Sequence, residues 1–67
     1  MKLKDLTHTE VKVGMKVKSA TTPNTGLITK VEYGRMGPKN PMVFIRFEGR
    51  TDDSSWWLSG FDHVVMV

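Results

Sequence analysis

Gly14-Met15-Lys16-Val17-Lys18, Gly26-Leu27-Ile28-Thr29-Lys30-Val31 and Met42-Val43-Phe44-Ile45-Arg46-Phe47 are three short alternations of apolar and polar residues. Polar loops bearing glycine and proline separate them. A period of two sends successive side chains to opposite faces, which marks half-buried strands. In the first alternation, which runs from Val11 to Ser19, Val11, Val13, Met15 and Val17 share one face. Lys12, Gly14, Lys16 and Lys18 take the other, and Gly14 predicts a kink with the ladder starting near Met15. In the second, Gly26 to Tyr33, Leu27, Val31 and Tyr33 share a parity that Ile28 breaks. A bulge near Thr29-Lys30 brings both Ile28 and Val31 inward and bends the strand, as a small barrel requires. Gly26 suits a close approach by a neighbouring backbone. In the third, Val43, Ile45 and Phe47 face one way, and Met42, Phe44 and Arg46 the other.

Working outward, Ala20 to Thr25 is turn chemistry throughout. Gly34 to Pro41 carries two glycines and two prolines and reads as a long hairpin loop without regular structure. After a turn over Glu48 to Asp53, Ser54 to Leu58 reads as a fourth strand. Trp56 and Leu58 share one of its faces, Ser55 and Trp57 the other, so one tryptophan is expected to fill the barrel. Ser59-Gly60-Phe61-Asp62 is a tight connection, one 3₁₀ turn, and His63 to Val67 is a last short strand. Five short strands at this spacing predict an all-β fold, a small closed antiparallel barrel over residues 14–67. Residues 1–13 are a lead-in with one helical turn, because Thr7 and Glu10 match a capping box and Leu6 and Val11 a hydrophobic staple. That turn would lay Leu3 or Leu6 over one end of the barrel. The expected core is Val17, Ile28, Val31, Val43, Ile45, Phe47, Leu58, Val64 and one tryptophan.

Sixty-seven residues make one domain. A chain of this size buries only about 60% of the surface it exposes unfolded. With no cysteine, neither a disulfide framework nor a thiolate zinc site supports the core. His8 and His63 lie at opposite ends of the chain, so neither metal nor cofactor is expected. A cysteine-free chain fits the reducing cytoplasm. No apolar run reaches the ~18–20 residues of a membrane span, and the basic start Met1-Lys2-Leu3-Lys4-Asp5 lacks the apolar segment of a signal peptide.

The layout resembles the SH3-like barrel superfamily. The three alternations from Gly14 to Phe47 are similar to a KOW-type element, a Gly-x-x-Val strand paired with a Gly-x-Ile-x-x-Val strand across a polar loop. Trp57-Leu58-Ser59-Gly60-Phe61-Asp62-His63-Val64 resembles the strand, 3₁₀ turn and final strand that close such barrels. The resemblance implies an association with RNA or nucleic-acid machinery. Two activities of the superfamily lack their residues here. Trp56-Trp57 sits in the last third of the chain without the Ala-Leu-Tyr-Asp-Tyr motif of proline-peptide binders, and Ser54-Ser55-Trp56-Trp57 stands where plasmid-type dihydrofolate reductases carry Val-Gln-Ile-Tyr.

The net charge of +3 is unevenly spread. Residues 1–46 hold nine basic side chains against three acidic, and residues 47–67 hold one against four. A basic half attracts an anionic partner, although solvated strand faces have the same composition. Lys16, Lys18, Lys30, Arg35, Lys39 and Arg46 are the candidate phosphate contacts. Lys16, Lys18 and Lys30 are expected on one outer surface, away from the acidic turn at Asp52-Asp53. Phe44 and Trp57, with Met36, form the alternative, an aromatic surface for a protein partner or a second copy of the chain. That reading fits an accessory protein of a phage or mobile element. Asp52-Asp53, Asp62-His63 and Gly34-x-x-Gly37 read as turns rather than as an acid pair, a base with its orienter or a phosphate loop. The chain is therefore expected to be a non-catalytic binding module.

Overall fold

A computed structural model describes residues 1–34 and 37–67. Five antiparallel strands form one strongly curled sheet: β1 (Lys16–Ser19), β2 (Thr25–Gly34), β3 (Gly37–Phe47), β4 (Ser54–Trp57) and β5 (Val64–Met66). Their order across the sheet is β4-β3-β2-β1-β5. The fold is all-β, as expected, and takes the form of a half-barrel whose edges are β4 and β5. Two short 3₁₀ turns, Leu3–Asp5 and Leu58–Gly60, are the helical elements among the described residues. The second turn joins one edge strand to the other.

Register puts the apolar parities together. Val17 pairs with Gly26 and Met66, Ile28 with Ile45, Val31 with Val43, and Gly26 with Phe47. The ladder shifts between Ile28 and Lys30, so the bulge lies where the broken parity placed it, and it turns both Ile28 and Val31 to the concave face. Gly26 has no room for a side chain, since a Cβ there would lie 2.8 Å from the Arg46 carbonyl oxygen. That close approach lets β2 and β3 fold over the core. Gly14, at φ +94°, makes the kink before β1 and donates its N–H to the Ile28 carbonyl at 2.8 Å.

The core holds Leu3, Val11, Val17, Ile28, Val43, Ile45, Leu58, Phe61 and Val64, with Leu6, Met15, Val31, Phe47 and Met66 packed around it. Two expectations need correction. First, neither tryptophan fills the interior: Trp56 is 56% exposed and Trp57 half-buried. Trp56 does lie on the concave side, opposite Val43. However, the two 3₁₀ turns deliver Leu3, Leu58 and Phe61 into the core, and the Trp56 indole rests at the rim over Gly60, in the space a Cβ would take. Second, the stretch expected as an irregular loop is extended from Gly37 onward. Gly34 pairs with Gly37 and Glu32 with Met42, so four residues of β3 stand opposite Tyr33 alone. Pro38 and Pro41 lack the N–H a regular ladder needs, and a wide bulge is where that loss is tolerated. Asn40 Oδ1 accepts the Ser59 N–H at 3.1 Å, tying the bulge to the second 3₁₀ turn.

The lead-in docks as expected, with Leu3 in the core and Leu6 packed against it. Tyr33 donates its hydroxyl to the His8 carbonyl at 3.0 Å, and the His8 ring meets the Tyr33 ring edge-on at 6.4 Å. His8 is half-buried. The turn at Thr7 forms, with Glu10 Oε1 accepting the Thr7 N–H at 2.7 Å. The Thr7 hydroxyl donates to the same carboxylate at 3.0 Å instead of capping the backbone. Met1 and Lys2 cover the outer edge of β5, where Lys2 bridges Val65 and the Met66 N–H donates to the Met1 carbonyl at 2.8 Å.

Candidate functional site

Residues directly opposite in an antiparallel ladder share a face, so the registers that define the core also define its outside. Lys16 lies opposite Leu27, and Leu27 opposite Arg46. This row of cation, exposed leucine and cation crosses β1, β2 and β3. Lys18 follows opposite Thr25 and Val65. On the other side of the bulge, Lys30 lies opposite Phe44, two residues before Arg46 on the same strand. Lys16, Lys18, Lys30 and Arg46 are thus brought onto one convex face and all are exposed. Lys39 is exposed within the wide bulge of β3, and Arg35 and Met36 lie outside the described residues.

The electrostatics of this face differ from the expectation of an isolated basic surface. Asp53 does not point away from it. One carboxylate oxygen takes the Arg46 Nε–H at 2.8 Å and the other the Thr29 hydroxyl at 2.9 Å. Lys30 Nζ lies 2.9 Å from Glu32 Oε2 and 5.3 Å from the Phe44 ring centroid. Two of the candidate phosphate contacts are therefore already paired within the chain. Lys16 and Lys18 have no carboxylate within 4 Å among the described residues. Asp52 pairs with Arg50 at 3.4 Å. Asp62 and His63 stand 3.6 Å apart in solvent.

The aromatic candidates also face outward. Phe44 lies opposite Ser55 and Trp57 opposite Met42, which makes Phe44 and Trp57 diagonal neighbours on the convex face. Both are half-buried. Trp57 and Met42 border a depression of about 320 Å³ with Glu32 and Tyr33. The more exposed tryptophan is Trp56, at the rim of the other face.

No buried polar or charged side chain occurs among the described residues, and no group of three metal-ligating side chains gathers there. No described helix is long and apolar enough to cross a membrane. Glu10 has its carboxyl held below the usual range by the Thr7 backbone N–H and then by the Thr7 hydroxyl.

Sequence reading missed Leu27, Arg50 and the part played by Asp53. Leu27 carried a signal: once the bulge turns Ile28 inward, its neighbour must point out. Arg50 gave none, since it sits in a turn between two acids. No family model, curated protein or solved structure matches the chain, so its function is read from the chemistry of this surface.

Proposed function

We propose that the chain is a small non-catalytic module that binds nucleic acid, or a complex built on it, through the convex face of β1–β3. The observation that carries this reading is the row Lys16–Leu27–Arg46 with Lys18 beside it, a face whose two leading cations have no internal partner among the described residues. Phosphate binding draws its free energy from releasing counterions held by the polyanion, so an unpaired surface lysine contributes where an ion-paired one must first exchange partners. The curled five-stranded sheet is compatible with an SH3-like barrel. The likeness of Gly14–Phe47 to a KOW element supports the same partner class, and a cytoplasmic location fits both.

Four phosphate contacts, at Lys16, Lys18, Lys30 and Arg46, correspond to a slope of log K on log salt of about −3 to −4. Binding is largely blind to sequence, since no helix among the described residues is long enough to enter a groove and read base edges. The test is titration of single-stranded RNA and DNA at low salt, with the parent and the Lys16→Glu/Lys18→Glu/Lys30→Glu triple variant. Parent binding that falls steeply with salt and collapses in the folded variant supports the reading. No parent binding, or an unchanged slope in the variant, overturns it.

The placement of Phe44, Met42 and Trp57 side by side favours a second reading, a protein partner or a second copy of the chain docking on the β3–β4 end of the same face. Met36, outside the described residues, belongs to that reading too. Such an interface holds its affinity as salt rises, and Trp57→Ala weakens it.

A further inference from the structure

A groove of about 510 Å³ opens on the convex face between the Lys16–Leu27–Arg46 row and the turn that follows β3. Leu27, 50% exposed, gives it an apolar floor, and Lys16, Arg46 and Arg50 stand around it. Its size falls in the ~300–1,000 Å³ range of small-ligand sites. Each arginine uses a single nitrogen within the chain: Arg46 Nε is held by Asp53 at 2.8 Å, and the exposed Arg50 Nε lies 3.4 Å from Asp52. Their terminal nitrogens have no protein acceptor among the described residues. A guanidinium anchored in this way is oriented while its remaining N–H donors stay available to an oxyanion.

We propose that this groove holds one nucleotide unit of a bound single strand, with the base on Leu27 and the phosphate between Arg46, Arg50 and Lys16. The inference rests on the nucleic-acid reading and sharpens it, because the strand-face lysines supply sequence-blind attraction while the groove gives one nucleotide a defined seat. Charge complementarity selects the occupant. Three cations around one apolar floor match a nucleotide unit, a flat base flanked on both sides by a singly charged phosphodiester, better than they match a lone carboxylate. Glu48, which also lines the groove, lies on a turn fixed by its N–H on the Thr25 carbonyl at 2.9 Å. Its carboxylate repels bare phosphate and accepts a hydrogen bond from a ribose hydroxyl or a base amine, so it favours a nucleotide over a simple anion.

Backbone amide NMR of the full chain tests this, with a nucleoside 5′-monophosphate, the matching nucleoside, inorganic phosphate, a glutamate-rich peptide and a single-stranded oligonucleotide as separate titrants. The monophosphate is expected to shift the amides of Leu27 and Gly49 and to bind at least about ten-fold more tightly than the nucleoside or phosphate alone. Losing one charge-assisted contact in Arg50→Gln lowers its affinity about ten-fold. Arg50 is exposed, and the variant's spectrum reports directly that it folds. Inorganic phosphate or the acidic peptide binding as tightly as the monophosphate overturns the nucleotide assignment. An oligonucleotide that shifts Lys18 and Val65 but not Leu27 and Gly49 overturns the groove and leaves the strand-face reading standing. An oligonucleotide that does not bind at low salt overturns both.

Discussion

Asp53, in the turn before β4, holds Arg46 of β3 by an Nε–Oδ1 contact of 2.8 Å, and its other oxygen takes the Thr29 hydroxyl at 2.9 Å beside the β2 bulge. One carboxylate thus joins three consecutive strands on the proposed binding face and neutralises one of its cations. Asp53→Asn separates these roles. It removes a negative charge while keeping a side chain able to bond Thr29. Partly exposed pairs contribute about 0.2–1 kcal/mol, so the denaturant midpoint should fall slightly. Affinity for single-stranded nucleic acid at low salt should rise, because a repelling charge is gone while the amide oxygen can still accept the Arg46 Nε–H. Weaker binding by a folded Asp53→Asn variant would mean that the charge of the carboxylate is needed to hold Arg46 in place for its partner.

Gly26→Ala tests the curl of the sheet. The added methyl meets the Arg46 carbonyl oxygen at 2.8 Å and the Ile45 side chain at 3.1 Å. Backbone cannot swing aside as a side-chain tip can, so β2 and β3 must separate. Overpacking of this kind costs about 1–3 kcal/mol, a large share of the stability of so small a domain. Urea unfolding measures it. A midpoint equal to the parent's would show that the two strands are farther apart at this point.

The bulge was legible in the sequence because Ile28 and Val31 have opposite parity and both demand burial, a conflict that one extra residue removes. The outward course of Lys16, Lys18 and Arg46 followed from the same alternation. The ion pair of Arg46 was not read, although it follows from register: Ile45 opposite Ser54 brings Arg46 level with Asp53. Register between strands joined by a polar turn is set by the turn's geometry, and Glu48 to Asp53 permits several. The tryptophans were misread for another reason. Alternation correctly sent them to opposite faces, but hydrophobicity states which side chains benefit from burial, not which ones win the available volume. Leu3 and Phe61 arrive from the ends of the chain and take it. Beyond the alternation, the candidate site was legible only as charge, since pairing within the chain decides which cations remain free.

Glu10 gives the lead-in a dependence on pH. Its carboxylate is stabilised in the folded chain by the Thr7 N–H and hydroxyl, so its folded pKa lies below its unfolded one. The sign follows: the unfolded chain takes up the proton first, and the contribution is present above the ordinary glutamate value of about 4.3. It is lost as pH falls through the lowered folded value. The turn at Thr7 should loosen in that acid window and, with it, the His8–Tyr33 contact. Proton NMR of the Tyr33 ring follows this, and Glu10→Gln should remove the acid step. A step that persists in the glutamine variant would assign it to another carboxylate.

Trp56 and Gly60 form the last testable pair. The indole lies where a Gly60 Cβ would stand, and it is more than half exposed on an edge strand with solvent to move into. Gly60→Ala should therefore displace the ring rather than unfold the domain, with a stability loss well below the about 2–5 kcal/mol expected for Ile45→Ala at the core. Single-tryptophan variants, Trp57→Phe and Trp56→Phe, separate the two signals. Trp56 should be readily quenched by iodide and become more so when Gly60→Ala is added. Trp57, half-buried beside Met42, should be partly shielded and indifferent to that change. If Gly60→Ala leaves the quenching of Trp56 unaltered, the ring does not rest on Gly60. If Trp56 is fully shielded in a monomer, it belongs to the interior after all, and removing it should then cost as much as removing Ile45.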